Sequence, residues 1–193
     1  MIRLVTVTGS RTTTLKHMLN HYKDMVDEMY IVVYDWKEKS NLSEVQNIVS
    51  EFRNAKIVKT VIEEKYNWEK VTQLYNEVKY THPNDWWVIS DDDEFHSYSY
   101  SLKSIIGACD MNGWDIVRGG FVDRIGVDGE MVELLDTDDI FEKFPYAGFF
   151  RHPLSGANPN KICIAKGYVE ITNGQHYAKI DGHTTWRWQG WNH

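Results

Sequence analysis

The chain has 193 residues and a formal net charge of −7, long enough to bury one core and without the basic excess of a nucleic-acid binder. No Lys/Arg run occurs, although an acidic balance still admits an anionic ligand wherever a cation supplies local positive charge. Cys109 and Cys163 form no C-x-x-C pair and no disulfide framework, so two free thiols in a reducing, cytoplasmic setting are expected. The opening MIRLVTVTGSR is too short and too polar for a signal peptide, and no apolar run reaches membrane-spanning length.

β-branched residues from Ile2 to Thr8 predict a strand, followed by a turn at Gly9-Ser10. Over residues 12–29, Leu15, Met18, Leu19, Tyr22, Met25 and Val26 recur at helical spacing. Residues 31–35 form a second apolar strand ending in Asp35. Asn41 or Ser43 can cap a helix running to Phe52, with Leu42, Val45, Ile48, Val49 and Phe52 on one face. A third strand covers residues 56–61. Asn67 then opens a helix striped by Trp68, Val71, Leu74, Tyr75 and Val78, which stops before His82-Pro83. Next comes WWVISDDDEF, residues 86–95, a short buried strand that runs out into four adjacent acids.

This β-α-β-α-β-α-β order predicts an α/β fold, a mostly parallel sheet with helices on both faces. Ligands of such sheets sit at the carboxyl ends of the strands, so Gly9-Ser10-Arg11, Asp35 and Asp91 to Asp93 are expected to converge there. The second half changes character. A helix over about residues 102–109 leads to WDIVRGGFVDRIGVDGEMVEL, with a hairpin turn signal at Asp128-Gly129. Beyond Phe144-Pro145 the chain reads as loop up to Asn160. KICIAKGYVEITNGQHYA then reads as a hairpin with turns near Lys166-Gly167 and Asn173-Gly174. One domain is expected, with residues 1–97 as the mostly parallel half and 98–193 as a smaller antiparallel β-rich half.

Asp91, Asp92, Asp93 and Glu94 repel one another and raise one another's pKa unless something positive sits among them. A divalent cation is one solution, and a solvated acidic turn is the other. If strand geometry persists, Asp91 and Asp93 point one way and Asp92 the other.

In this order the blocks VTVTGSRTTTLKHMLNHY, YNWEKVTQLYNEVKYTHPNDWWVISDDDEF, GGFVDRIGVDG and Lys161 followed by GQHYA resemble the GT-A glycosyltransferases, most closely the family 2-like enzymes with a D-x-D metal motif. That resemblance implies a UDP- or GDP-sugar donor, a hydroxyl acceptor such as a glycan, and Mn²⁺ or Mg²⁺ as cofactor. Oxygen ligands suit both ions, and an imidazole favours Mn²⁺. It places Asp91, Asp93 and His176 at the metal, with His183 and His193 as competitors of His176. Thr8, Gly9, Arg11, Asp35, Lys70, Asn76, Asp91, Asp92 and Lys161 are placed at the nucleotide sugar. An inverting transferase also needs a carboxylate to take the acceptor's proton. Asp123, which begins the β-rich half, is the first candidate, ahead of Asp138 and Asp139.

Each residue has a plainer explanation. His176 can be an ordinary hairpin histidine, Arg11 and Lys70 solvated, Asp35 a turn cap, Lys161 an exposed strand lysine, and Asp123 the partner of Arg124 or Arg118. Trp186 and Trp188 can stack on a sugar or cover core. A sugar-phosphate nucleotidyltransferase and a non-catalytic, metal-dependent glycan-binding module are the rival functions. TGSRTTT matches the glycine-rich loop of the former poorly.

Overall fold

A computed structural model describes residues 1–9, 11–36, 40–120, 122–149, 151–156, 158–172, 174–180 and 183–185. The first half alternates strand and helix: β1 (Ile2–Thr8), α1 (Leu15–Tyr22), β2 (Glu28–Trp36), α2 (Leu42–Ser50), β3 (Ala55–Glu63), α3 (Trp68–Lys79) and β4 (Trp86–Ile89). It continues with α4 (Leu102–Asn112), β5 (Ile116–Gly120), β6 (Asp123–Ile125), α5 (Ile140–Lys143), β7 (Tyr146–Gly148), α6 (Arg151–Ser155), β8 (Asn160–Lys166), β9 (Glu170–Thr172), β10 (Tyr177–Ile180) and β11 (His183–Thr185).

The central sheet has six strands in the order β3-β2-β1-β4-β8-β5. β3, β2, β1 and β4 are parallel, and β8 runs antiparallel between β4 and β5. The fold is therefore α/β with a mostly parallel sheet. β5 and β8 come from the second half of the chain, so both halves complete one sheet.

Every residue of β1 is buried, as expected for a parallel strand covered on both faces. Alternate side chains enter two cores. Ile2, Leu4, Trp86 and Val88 pack with Leu15, Val45 and Ile105 of α1, α2 and α4. Val5, Val7, Trp87 and Ile89 pack with Leu74 and Tyr75 of α3, and with Val169 and Ile171. Asn67 caps α3 by accepting bonds from the Glu69 and Lys70 amides. The αL residue Gly113 (φ 67°) ends α4.

Four expectations change. The helical stripe over 12–29 splits because the Asp27 amide bonds the Ile2 carbonyl at 2.8 Å, drawing the chain into β2 from Glu28. Sheet pairing overrides the helical period there. Asp128 and Gly129 do turn, with φ of 58° and 81°, but the chain does not return as a strand. β6 pairs instead with β7, so the stretch after Pro145 is not all loop. Finally, the turn after Lys166 carries the chain from the central sheet into a separate sheet of order β11-β10-β9. Gly167 is required in that turn, since a Cβ would stand 2.3 Å from the His82 carbonyl oxygen. Ser10, Asn173, Trp186, Trp188, Trp191 and His193 lie outside the described residues.

Both cysteines are free, Cys109 buried and Cys163 partly so. No helix among the described residues is long and apolar enough to cross a membrane.

Candidate functional site

β1 and β4 are neighbours, whereas the chain leaves β1 toward β2 on its other side. Strand order thus reverses between β1 and β4, which opens a crevice outside their carboxyl ends. The Ser90 amide extends the ladder one residue past β4 by bonding the Val5 carbonyl at 3.3 Å. The strand then stops. The Glu94 amide donates to the Asp91 carbonyl at 3.1 Å, closing a turn over residues 91–94. Strand geometry does not persist through the acids, so Asp91 and Asp93 do not share a face. Asp91 and Glu94 come together, and Asp93 is exposed.

Three elements converge on the Asp91 carboxylate. Oδ1 accepts from the Tyr75 hydroxyl of α3 at 2.7 Å and from Nε2 of Gln175, in the β9–β10 connection, at 2.7 Å. Oδ2 accepts from Lys161 Nζ of β8 at 2.7 Å, and the same ammonium bonds Glu94 Oε1. Asp92 turns the other way, toward β1, where its Oδ2 accepts from the Thr8 hydroxyl at 2.6 Å.

The electrostatics follow from this arrangement. Burial works to raise the Asp91 pKa, but the Lys161 ammonium outweighs it and holds that carboxyl below its ordinary value. Asp92 has no such partner. Burial, with the charges of Asp93 and Asp91, pushes it up to about 7 against the Thr8 bond. Burial and the Asp91 charge likewise push Glu94 up to about 7. Burial disfavours the charged Lys161, yet Asp91 and Glu94 hold its pKa above the ordinary lysine value. The crowding of four acids is relieved by one internal ammonium together with carboxyls that retain protons near neutrality.

At the end of β2, Asp35 is fully buried. Its Oδ2 accepts from the Asn41 amide at 3.0 Å, while Oδ1 is buried with no hydrogen-bond partner among the described residues. Gly9 lies against this residue. A Cβ on Gly9 would meet the Tyr34 carbonyl oxygen at 2.1 Å and Asp35 Oδ1 at 3.2 Å, so only glycine lets the loop after β1 approach the end of β2. Tyr66 stands nearby, its ring 6.0 Å from those of Tyr34 and Trp36. Burial and the Asp91 charge raise the Tyr66 pKa, which places its hydroxyl within the field of the acidic turn.

Thr8, Gly9, Asp35, Asp91, Asp92 and Lys161 therefore lie on the carboxyl edge of the sheet, with Arg11 exposed beside them. Other expected members have different tasks. Lys70 pairs with Glu77 of its own helix at 3.7 Å, on the side facing Lys59. The Asn76 amide donates to and accepts from the Ile171 backbone at 2.7 and 2.8 Å, docking β9 on α3. Asp139 caps α5 by accepting from the Phe141 and Glu142 amides, and Asp138 accepts from the Leu135 amide and pairs with Lys143. Asn76, Lys70, Asp138 and Asp139, expected at the nucleotide or as the base, thus each have a partner in local structure.

His176 Nδ1 lies 2.7 Å from the Asn160 carbonyl, which can only accept, so this nitrogen carries a proton. The backbone of His183 is in β11. Among the described residues, no three His, Cys, Asp or Glu side chains gather so as to hold a metal ion. The expected set of Asp91, Asp93 and His176 is not assembled: the 91–94 turn separates the two aspartates, and protein donors fill Asp91. Tyr75 and Gln175 escaped sequence reading. Tyr75 read as one more member of an apolar stripe, and Gln175 gave no signal apart from its place in GQHYA.

The chain matches no family model and no curated protein. Among solved structures it is similar to S. aureus TarS residues 1–349, with 14% identity over 86% of this chain and 47% of that one, and a TM-score of 0.48. Against the longer TarS structure the values are 18%, 68%, 23% and 0.43. A 4-diphosphocytidyl-2C-methyl-D-erythritol synthase gives 13% identity over 86% of this chain and 75% of that one, with a TM-score of 0.45. The chain thus spans less than half the length of either TarS chain.

Proposed function

We propose that this chain is a GT-A-type glycosyltransferase domain that moves a sugar from a UDP- or GDP-sugar to an acceptor hydroxyl with inversion. The observation that carries the reading is Asp35 Oδ1, a buried carboxylate oxygen at the carboxyl edge with no hydrogen-bond partner among the described residues. A buried polar atom left unpaired costs about 1–3 kcal/mol, which a nucleoside N–H or ribose O–H would recover. Glycine at position 9 lets the loop after β1 lie close against that oxygen.

In this reading the nucleoside lies over Asp35 and Gly9, beside the exposed ring of Tyr66, and the diphosphate lies along the β1–β4 crevice toward Lys161. Cleavage of the sugar–oxygen bond leaves negative charge on the diphosphate. The Lys161 ammonium, held by Asp91 and Glu94, is a fixed positive charge positioned for it. A divalent ion, when bound, would supply the same stabilisation, although no three His, Cys, Asp or Glu side chains gather to seat one among the described residues. The acceptor hydroxyl attacks the anomeric carbon through an oxocarbenium-like state as Asp123 removes its proton. Asp123 follows β5 by three residues, and the end of β5 is on this edge: Gly119 is in register with Lys161 and Gly120 with Asn160.

Asp35→Asn preserves size and an acceptor for the Asn41 amide. It is expected to weaken UDP or GDP binding about tenfold to a hundredfold, the size of one charge-assisted hydrogen bond. Titration calorimetry measures this directly. Unchanged affinity would remove Asp35 from the nucleotide site, and release of pyrophosphate in place of nucleoside diphosphate would favour nucleotidyl transfer.

A further inference from the structure

Lys161 occupies the place and the charge that a divalent ion would need. It lies on β8 in register with Gly119 of β5, and its side chain is only 13% exposed. From there Nζ crosses to the end of β4 and bonds both ends of the 91–94 turn, Asp91 Oδ2 and Glu94 Oε1. The second Asp91 oxygen is filled independently by the Tyr75 hydroxyl and Gln175 Nε2. Tyr75 is fully buried, and Gln175 is 3% exposed with a backbone φ of 71°, so neither donor is a loose surface group. A metal ion on Asp91 would have to expel the ammonium into a largely enclosed space or sit against it, and both cost electrostatic energy.

We infer that Lys161 is the resident cation of this acidic edge: its ammonium holds the 91–94 turn closed and meets the phosphates of the ligand, and Asp91 seats no divalent ion while Lys161 is present. The identity of the ligand rests on the transferase reading. The exclusion of metal from Asp91 does not, because it follows from bonds within the protein.

The test is Mn²⁺ titration followed by electron paramagnetic resonance, without nucleotide, on the wild type, Asp91→Asn, Lys161→Met and the Lys161→Met/Asp91→Asn double variant. Circular dichroism checks that each is folded. The wild type is expected to show no Mn²⁺ site that depends on Asp91. Removing the ammonium is expected to create one, at least about tenfold tighter than any wild-type binding, and lost again in the double variant. A wild-type Mn²⁺ site abolished by Asp91→Asn overturns the inference, and so does a folded Lys161→Met that gains no site. If Lys161→Met does not fold, the wild type against Asp91→Asn decides alone. Failure of the transferase reading shows separately, as no binding of UDP or GDP to the wild type.

Discussion

Asp123→Asn is expected to lower the turnover of sugar transfer by about 10²–10⁴-fold while leaving nucleotide affinity within about twofold, the signature of a lost general base. The expectation rests on position, because Asp123 follows the end of β5 by three residues at the carboxyl edge. Asp139 is a helix cap and Asp138 is tied to Leu135 and Lys143, so both carboxylates already do structural work. Asp123 begins β6, a short strand just beyond the end of β5 that pairs with β7 outside the central sheet. Steady-state kinetics with a donor identified by binding, together with calorimetry for the nucleoside diphosphate, separates the two effects. Equal loss of binding and turnover would make Asp123 a donor contact, and unchanged turnover would exclude it.

Lys79→Met is expected to stabilise the protein at pH 6 by about 2 kcal/mol, in the range seen when buried charges are replaced by apolar groups of similar size. Lys79 is fully buried at the end of α3, opposite the site, where its ammonium bonds the Val169 carbonyl. Burial lowers its pKa to about 7 from 10.5, with Glu170 opposing the shift. The native state therefore releases a proton near pH 7 that the unfolded chain keeps until about 10.5. Between those values the unfolded state binds more protons, so wild-type stability rises with pH, and below about pH 7 the buried charge is a standing cost. The gain from Lys79→Met should be largest at pH 6 and shrink by pH 9. Urea unfolding at both pH values measures it. A pH-independent loss of stability would show that the bond to Val169 outweighs the burial of the charge.

The first half of the fold was legible because its physics is local. Buried parallel strands read as continuous apolar runs, as in β1 and β2, and Leu74, Tyr75 and Val78 mark the buried side of α3 by period alone. Boundaries failed where a distant partner intervened, as at Asp27, whose amide is captured by Ile2. In the second half the partner of β6 lies some twenty residues away in β7, so the turn signal at Asp128-Gly129 was sound and the inferred strand was not.

The site divides along the same line. Positions that follow directly from strand ends, Thr8, Gly9, Asp35, Asp91 and Asp92, could be placed at one edge from the sequence. What the side chains do there could not, because it is set by contacts across 84 positions for Thr8 with Asp92 and 70 for Lys161 with Asp91. Asn76 divides the same way: its location on α3 was foreseeable, but its amide bonds β9, a strand that no pattern in α3 announces.

The central claim is that a nucleotide sugar binds where Asp35 and Lys161 meet the β1–β4 crevice. A thermal-shift screen of nucleotide sugars in the presence of a chelator tests it most directly, since a ligand that binds only the native state raises the transition temperature by mass action. The account expects at least one UDP- or GDP-sugar to raise it in the wild type, and the rise to be lost in Asp35→Asn. No shift from any donor, or a shift of equal size in the variant, would contradict it.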